Sequence, residues 1–219
     1  MNYEAVIFDL DGTLLDSLAD LAASGNRVLQ LLGLPSHPLE SYRYFVGKGV
    51  AVLVERMLPP EERSPAAMGR AVELFKEDYG AHWDVVTAPY PGIEAMLETL
   101  VELGVGLSIL SNKPDAFVQR CVSKLLPGYR FYPRYGHRQG VARKPDPVGA
   151  IEIIEQLQLP REKVLYVGDS GVDMATARGA GLASVGVLWG FREAAELKAA
   201  GASYLIGDPA ELITIVQGS

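Results

Sequence analysis

The chain predicts an α/β fold, a doubly wound parallel sheet with a helical domain inserted near its beginning. Three observations lead there: short apolar runs without polar alternation, helical patterns separating most of those runs, and a strandless stretch over residues 17 to 86. The first run, AVIF (5 to 8), has no polar position, which suits a strand covered on both faces. After it, SLADLAASGNRVLQLLG, PLESYRYFVG, GVAVLVERML and SPAAMGRAVELFKEDYGAHW carry helical spacing and offer no convincing strand. A right-handed crossover needs only one helix, so this is too much chain for a connection. It reads as an insert, entered near Asp16 and left near Thr87 to Pro91.

The remaining elements alternate. GIEAMLETLVELG (92 to 104) repeats apolar residues at three and four positions and stops at a glycine, as an amphipathic helix does. VGLSIL (105 to 110) is the second strand, and AFVQRCVSKLL after it is helical. VGAIEIIEQLQL (148 to 159) is a helix, VLYV (164 to 167) a strand, MATARGAG (174 to 181) a helix and LASVGVL (182 to 188) a strand. EAAELKAAG (193 to 201) and PAELITIVQG (209 to 218) close the chain as helices. Residues 1–16 and 87–219 therefore form the expected core, and residues 17–86 the helical insert.

The balance of 48% apolar and 21% charged residues is that of an ordinary globular protein over 219 residues. The formal net charge of -7 disfavours a nucleic-acid backbone or an anionic membrane surface as partner, so an anionic ligand must be held by local positive groups. A single cysteine, Cys121, excludes an internal disulfide and points to the reducing cytoplasm. No basic segment followed by a long apolar stretch opens the chain, and no apolar run reaches the length of a membrane-spanning helix. The oligomeric state is not encoded in any feature of the sequence.

The chemistry gathers at the predicted strand ends. In AVIFDLDGTLLD, residues i and i+2 of an extended strand point the same way, so Asp9 and Asp11 face one pocket while Leu10 turns into the core. Ligands of open parallel sheets bind beyond the carboxyl ends of the strands, where this pair falls. VLYV runs into GDSGVD, placing Asp169 after a strand and Asp173 four residues on. VGLSIL runs into SNKPD, with Ser111, Asn112 and Lys113, and RKPDP holds Lys144 in a proline-stiffened loop. Four converging carboxylates repel one another unless a cation joins them, and oxygen-only ligands with spare water positions suit Mg²⁺. His37, His82 and His137 pair with no cysteine or carboxylate at metal-ligand spacing. Cys121 lies on the apolar stripe of its helix and reads as core.

These motifs together resemble the haloacid dehalogenase-like (HAD) hydrolases over essentially the whole chain. D-L-D-G-T with a further acid at Asp16 is similar to their first motif, Ser111 to the second, Lys144 to the third and GD-S-G-V-D to the fourth. The resemblance implies a Rossmann-like core and makes the insert the family's C1 cap. It implies that Asp9 is a nucleophile forming an aspartyl-phosphate, and that Asp11 is the general acid and then base. It also implies Mg²⁺ held by Asp9, the backbone carbonyl of Asp11 and Asp169, with Asp173 acting through water. Ser111 and the N–H of Asn112 would bind phosphoryl oxygens, and Lys144 would neutralise charge on them and on Asp9. An aspartate at position 11 favours phosphate transfer, since relatives that cleave carbon–halogen bonds do not protonate an alkoxide in this way.

Within the family, YRYFVGKGVAVLVERML (42 to 58) resembles the cap segment of phosphoglycolate phosphatases. Gly47 and Gly49 would let that turn approach a substrate, and Lys48 or Arg43 would meet its carboxylate. The expected activity is hydrolysis of a small phosphomonoester, 2-phosphoglycolate in the first place. A β-phosphoglucomutase-like sugar-phosphate mutase and a nucleotide or pyrophosphate phosphatase are the enzymatic alternatives. A phospho-acceptor signalling domain is the non-enzymatic one. Residues 185 to 212 also resemble the tail of phosphoglycolate phosphatases, with Trp189 to Phe191 in a loop beside the site.

Overall fold

The computed structural model describes residues 2–218, which divide into two compact units. One runs to Leu15 and resumes at Pro89; the other is Asp16–Ala88. The chain opens with β1 (Ala5–Phe8) and β2 (Leu15–Asp16), then passes through α1 (Leu18–Leu31), α2 (Leu39–Phe45), α3 (Val50–Met57) and α4 (Pro65–His82). It continues as β3 (Ala88–Pro89), α5 (Ile93–Glu102), β4 (Gly106–Pro114), α6 (Asp115–Leu125), β5 (Phe131–His137) and α7 (Val148–Leu157). The last elements are β6 (Val164–Gly168), α8 (Gly171–Ala180), β7 (Ala183–Val187), α9 (Ala194–Ala199), β8 (Tyr204–Ile206) and α10 (Glu211–Gln217).

Six strands form one parallel sheet in the order β5-β4-β1-β6-β7-β8. β1 is central because all four of its residues are apolar and fully buried, as a strand covered on both faces requires. From β1 the chain builds β4 and β5 on one side, then β6, β7 and β8 on the other, so the winding reverses at β1. That reversal opens a crevice beyond its carboxyl end. On one face Ala5 and Ile7 pack with Tyr166, Ala150, Ile153 and Ala177 of the neighbouring strand and helices. α5 buries Ile93, Met96, Leu97 and Leu100, the stripe its three-and-four spacing predicts.

Two strands of this sheet, β5 and β8, are absent from the sequence reading. Both are edges: β5, FYPRYGH, carries a proline and a 58% exposed Tyr132, which a central strand would not tolerate, and β8, YLI, is only three residues long. Edge position removes the need for a long apolar run in β5, and β8 is too short for periodicity to reveal it.

The helical unit is held by polar as well as apolar contacts. Arg27 of α1 forks onto Asp78 of α4, with Nη2 2.6 Å from Oδ1. Buried Asp20 accepts hydrogen bonds from the N–H groups of Val86 and Thr87 and from the Thr87 hydroxyl, the last at 2.7 Å. Gly25 lets α1 approach Tyr42 of α2, since a Cβ there would lie 2.5 Å from the Tyr42 hydroxyl oxygen. Gly25→Ala is expected to lower the unfolding free energy by about 1–3 kcal/mol through overpacking. Urea titration would show it as a lower midpoint, and an unchanged midpoint would mean that Tyr42 can yield.

Candidate active site

The site is assembled from the ends of β1, β4 and β6 and from two loops. Register aligns Phe8 with Ile109 and Val167, so Asp9 and Asp169 leave their strands beside Ser111 of the longer β4 at one end of the sheet. The Asp9 N–H donates to Val167 O at 2.9 Å, extending the β1–β6 ladder by one residue. Leu10 is fully buried, and the pleat sends Asp9 and Asp11 to the opposite side. Gly12 turns the chain at φ +86°; a Cβ there would sit 2.4 Å from Asp169 Oδ2, so both conformation and space require glycine.

Asp169 and Asp173 are fixed differently. Asp169 follows β6, and its Oδ2 accepts the Phe191 N–H at 2.7 Å from the loop after β7. The same loop anchors to the first turn, since Trp189 Nε1 donates to Thr13 O at 3.0 Å. Asp173 is fully buried in the first turn of α8, where it and Ser170 form a capping box. Its Oδ2 accepts from the Ser170 hydroxyl at 2.5 Å and from the Ser170 N–H at 3.1 Å.

Lys144 reaches this cluster from the loop between β5 and α7. Asn112 at the end of β4 braces that loop: its Oδ1 accepts the Lys144 N–H at 2.9 Å and its Nδ2 donates to Lys144 O at 3.1 Å. The Lys144 ammonium then lies 2.9 Å from Asp9 Oδ1 and 2.7 Å from Asp173 Oδ1, with its side chain 3% exposed. On the other flank, Lys113 Nζ is 2.9 and 3.0 Å from the two oxygens of Asp11.

Burial pushes the Asp9 carboxyl up to about 7; Lys144 opposes the rise and Asp173 adds to it. Burial, then the charges of Asp173 and Asp9, drive Asp169 well above the carboxylate range. Burial works against the Lys144 ammonium, yet Asp173 and Asp9 outweigh it and hold Lys144 well above its usual range. One ammonium thus meets two members of a cluster of three buried acids, Asp9, Asp169 and Asp173, each offering an oxygen within 4.8 Å of the others. Three crowded acids, of which Asp9 and Asp169 resist ionisation without a further positive charge, and their oxygen-only donors, fit a hard divalent cation.

Of the residues singled out in the sequence, Asp9, Asp169, Asp173 and Lys144 come together in this cluster, with Asn112 bracing it. Ser111 is buried at the end of β4, where its Oγ accepts the Lys113 N–H at 3.3 Å. Asp11 turns its carboxylate to Lys113. Arg43 lies on α2, 3.4 Å from Glu40, and Lys48 is exposed in the turn before α3; both belong to the helical unit. His37 Nε2 lies 2.8 Å from Met57 O and His82 Nδ1 2.9 Å from Asp78 O, while Cys121 is buried on α6. Sequence reasoning placed Lys113 at this strand end but gave it no role, and it missed Ser170 and the Phe191 N–H. The signal for Lys113 was its place two residues beyond Ser111 on one strand.

A family model described as haloacid dehalogenase-like hydrolase matches residues 6–187. The chain is 34% identical to a phosphoglycolate phosphatase of Pseudomonas fluorescens (strain Pf0-1), covering 95% of this chain and 78% of that protein. It is 31% identical to the phosphoglycolate phosphatase of Vibrio parahaemolyticus serotype O3:K6, covering 96% and 95%. A crystal structure from Lactobacillus delbrueckii subsp. bulgaricus, assigned by prediction as a phosphoglycolate phosphatase, superposes with a TM-score of 0.93 at 33% identity over the whole of both chains.

Proposed function

The chain belongs to the haloacid dehalogenase-like hydrolase family, and from that premise we propose that it is a Mg²⁺-dependent phosphatase of a small phosphomonoester, 2-phosphoglycolate in the first place. The observation that carries the reading is Asp9, which sits at the reversal point of the sheet between a buried ammonium and two further buried carboxylates. The names of the relatives supply the substrate class.

An Asp9 oxygen attacks phosphorus in line with the ester oxygen; the P–O bond breaks and its electron pair leaves with the alkoxide. Asp11 gives that alkoxide a proton. A water then attacks the phosphorus of the aspartyl-phosphate, Asp11 takes the water's proton, and the Asp9 carboxylate is regenerated with release of phosphate. Ser111 and the N–H of Asn112 donate to phosphoryl oxygens, while Lys144 balances charge on them and on Asp9. Asp9, Asp169 and Asp173, with the carbonyl of Asp11, would hold Mg²⁺. The ion supplies positive charge that lets an anionic carboxylate meet an anionic phosphate.

The helical unit is assigned the role of cap, and Arg43 and Lys48 the recognition of the substrate carboxylate. Lys48→Ala is expected to raise KM for 2-phosphoglycolate about tenfold while changing KM for a neutral phosphate ester less than about twofold. Equal effects on both esters would remove Lys48 from specificity. No helix among the described residues is long and apolar enough to cross a membrane. A cytoplasmic location, consistent with the lone cysteine, is part of the proposal.

The direct test is phosphate release with Mg²⁺ from 2-phosphoglycolate, sugar phosphates, nucleoside monophosphates and pyrophosphate. Preference for 2-phosphoglycolate supports the reading. A sugar-phosphate isomer formed without free phosphate would replace it with a mutase, and a slowly decaying phosphorylated chain with a signalling role.

A further inference from the structure

Lys113 lies in β4 two residues after Ser111, in the stretch where the β4–β5 register shifts. Its side chain is 6% exposed and spends its ammonium on Asp11, with Nζ 2.9 and 3.0 Å from the two carboxylate oxygens. Phe117 of α6 borders the ammonium, its ring centroid 5.2 Å from Nζ. Strand, ring and carboxylate therefore fix the lysine, and the lysine fixes both Asp11 oxygens at once. A partly buried ion pair adds little to stability once desolvation is counted, so stability alone does not account for this one. Lys144 cannot substitute for it, because its ammonium is engaged by Asp9 and Asp173.

We infer that Lys113 is a positioning residue for the acid–base step: it holds the Asp11 carboxylate in the orientation from which Asp11 exchanges a proton with the leaving oxygen and then with water. Asp11 stands on a turn, where rotation about its Cα–Cβ bond would carry the carboxylate away from the ester oxygen. Two N–H donors on its two oxygens remove that freedom. The inference rests on the acid–base reading of Asp11 given above.

The test compares wild type, Asp11→Asn, Lys113→Met and the double variant with saturating Mg²⁺ on 2-phosphoglycolate and p-nitrophenyl phosphate. A p-nitrophenolate leaves without an acid, so the first half-reaction of that ester does not need a placed Asp11, whereas attack by water does. Lys113→Met is expected to keep a burst of p-nitrophenolate, one per chain and within about threefold of the wild-type rate, followed by turnover slowed about 100-fold. On 2-phosphoglycolate, kcat/KM is expected to fall about 100-fold without a burst, Lys113→Arg to recover part of that loss, and the double variant to be no slower than Asp11→Asn. A burst slowed as much as turnover, or losses that multiply in the double variant, would overturn the inference. A raised KM with kcat kept would do so too, by placing Lys113 on the phosphate. If Asp11→Asn showed no burst, the acid–base reading itself would fail. If Asp11→Asn showed the burst and Lys113→Met did not, only the role of Lys113 would. Should Lys113→Met not fold, Lys113→Gln serves in the same comparison.

Discussion

Asp9→Asn leaves a folded protein that releases phosphate at least about 10⁴-fold more slowly, the scale on which loss of a nucleophile is felt. Asparagine matches aspartate in shape and keeps the backbone bond from Asp9 to Val167, but its amide does not attack phosphorus. Acid quenching with radiolabelled substrate should trap label on the wild-type chain and none on the variant. Near-native turnover, or label on the variant, would falsify the nucleophile assignment. Stability should move the other way. Burial raises the folded carboxyl from 3.8 to about 7, so ionising Asp9 costs the fold free energy. In the presence of a chelator, that cost appears as wild-type stability falling while pH rises from near 4 through 7. Asp9→Asn cannot ionise and should lack this component of the fall, which urea titration across that pH range would reveal.

Lys144→Met removes the ammonium that stands between Asp9 and Asp173. With its side chain 3% exposed, the loss leaves buried carboxylates facing one another without compensation. The metal-free variant is expected to lose about 3–5 kcal/mol of stability, the usual consequence of breaking one side of a buried pair. Mg²⁺ should restore part of this, because a ligand that binds only the folded chain stabilises it by mass action. Turnover should fall about 10²–10³-fold even with Mg²⁺ present, as on removal of one preorganised donor to developing charge. Chemical unfolding with chelator and with Mg²⁺ separates the two effects. Unaltered stability without the ion would show that Lys144 does not compensate the cluster.

The sequence made the centre of the molecule readable and its margins obscure. β1 and β6 are buried on both faces, so AVIF and VLYV carry no polar residue and stand out. β5 needs no such run at the edge, and Pro133 in FYPRYGH argues against a strand that nevertheless forms, while β8 is only the three residues YLI. β4 extends past its apolar part through Ser111, Asn112 and Lys113, whose polarity serves the site and hides the strand. Asp9, Asp169 and Asp173 were visible because strand ends place acids together whatever the loops do. The orientation of Asp11 was not, since it depends on Lys113, a residue 102 positions away. The backbone N–H of Phe191 that steadies Asp169 carries no side-chain signature at all.

One carboxylate in the inserted segment has an architectural consequence. Asp20, near the first turn of α1, grips the backbone of Val86 and Thr87, so the insertion fastens its own entrance to its own exit. A host sheet receiving such a cassette meets two chain ends already side by side and bears little of the entropy of bringing them together. Exchange of the cassette between hosts would then leave Asp9, Asp169 and Asp173 in place.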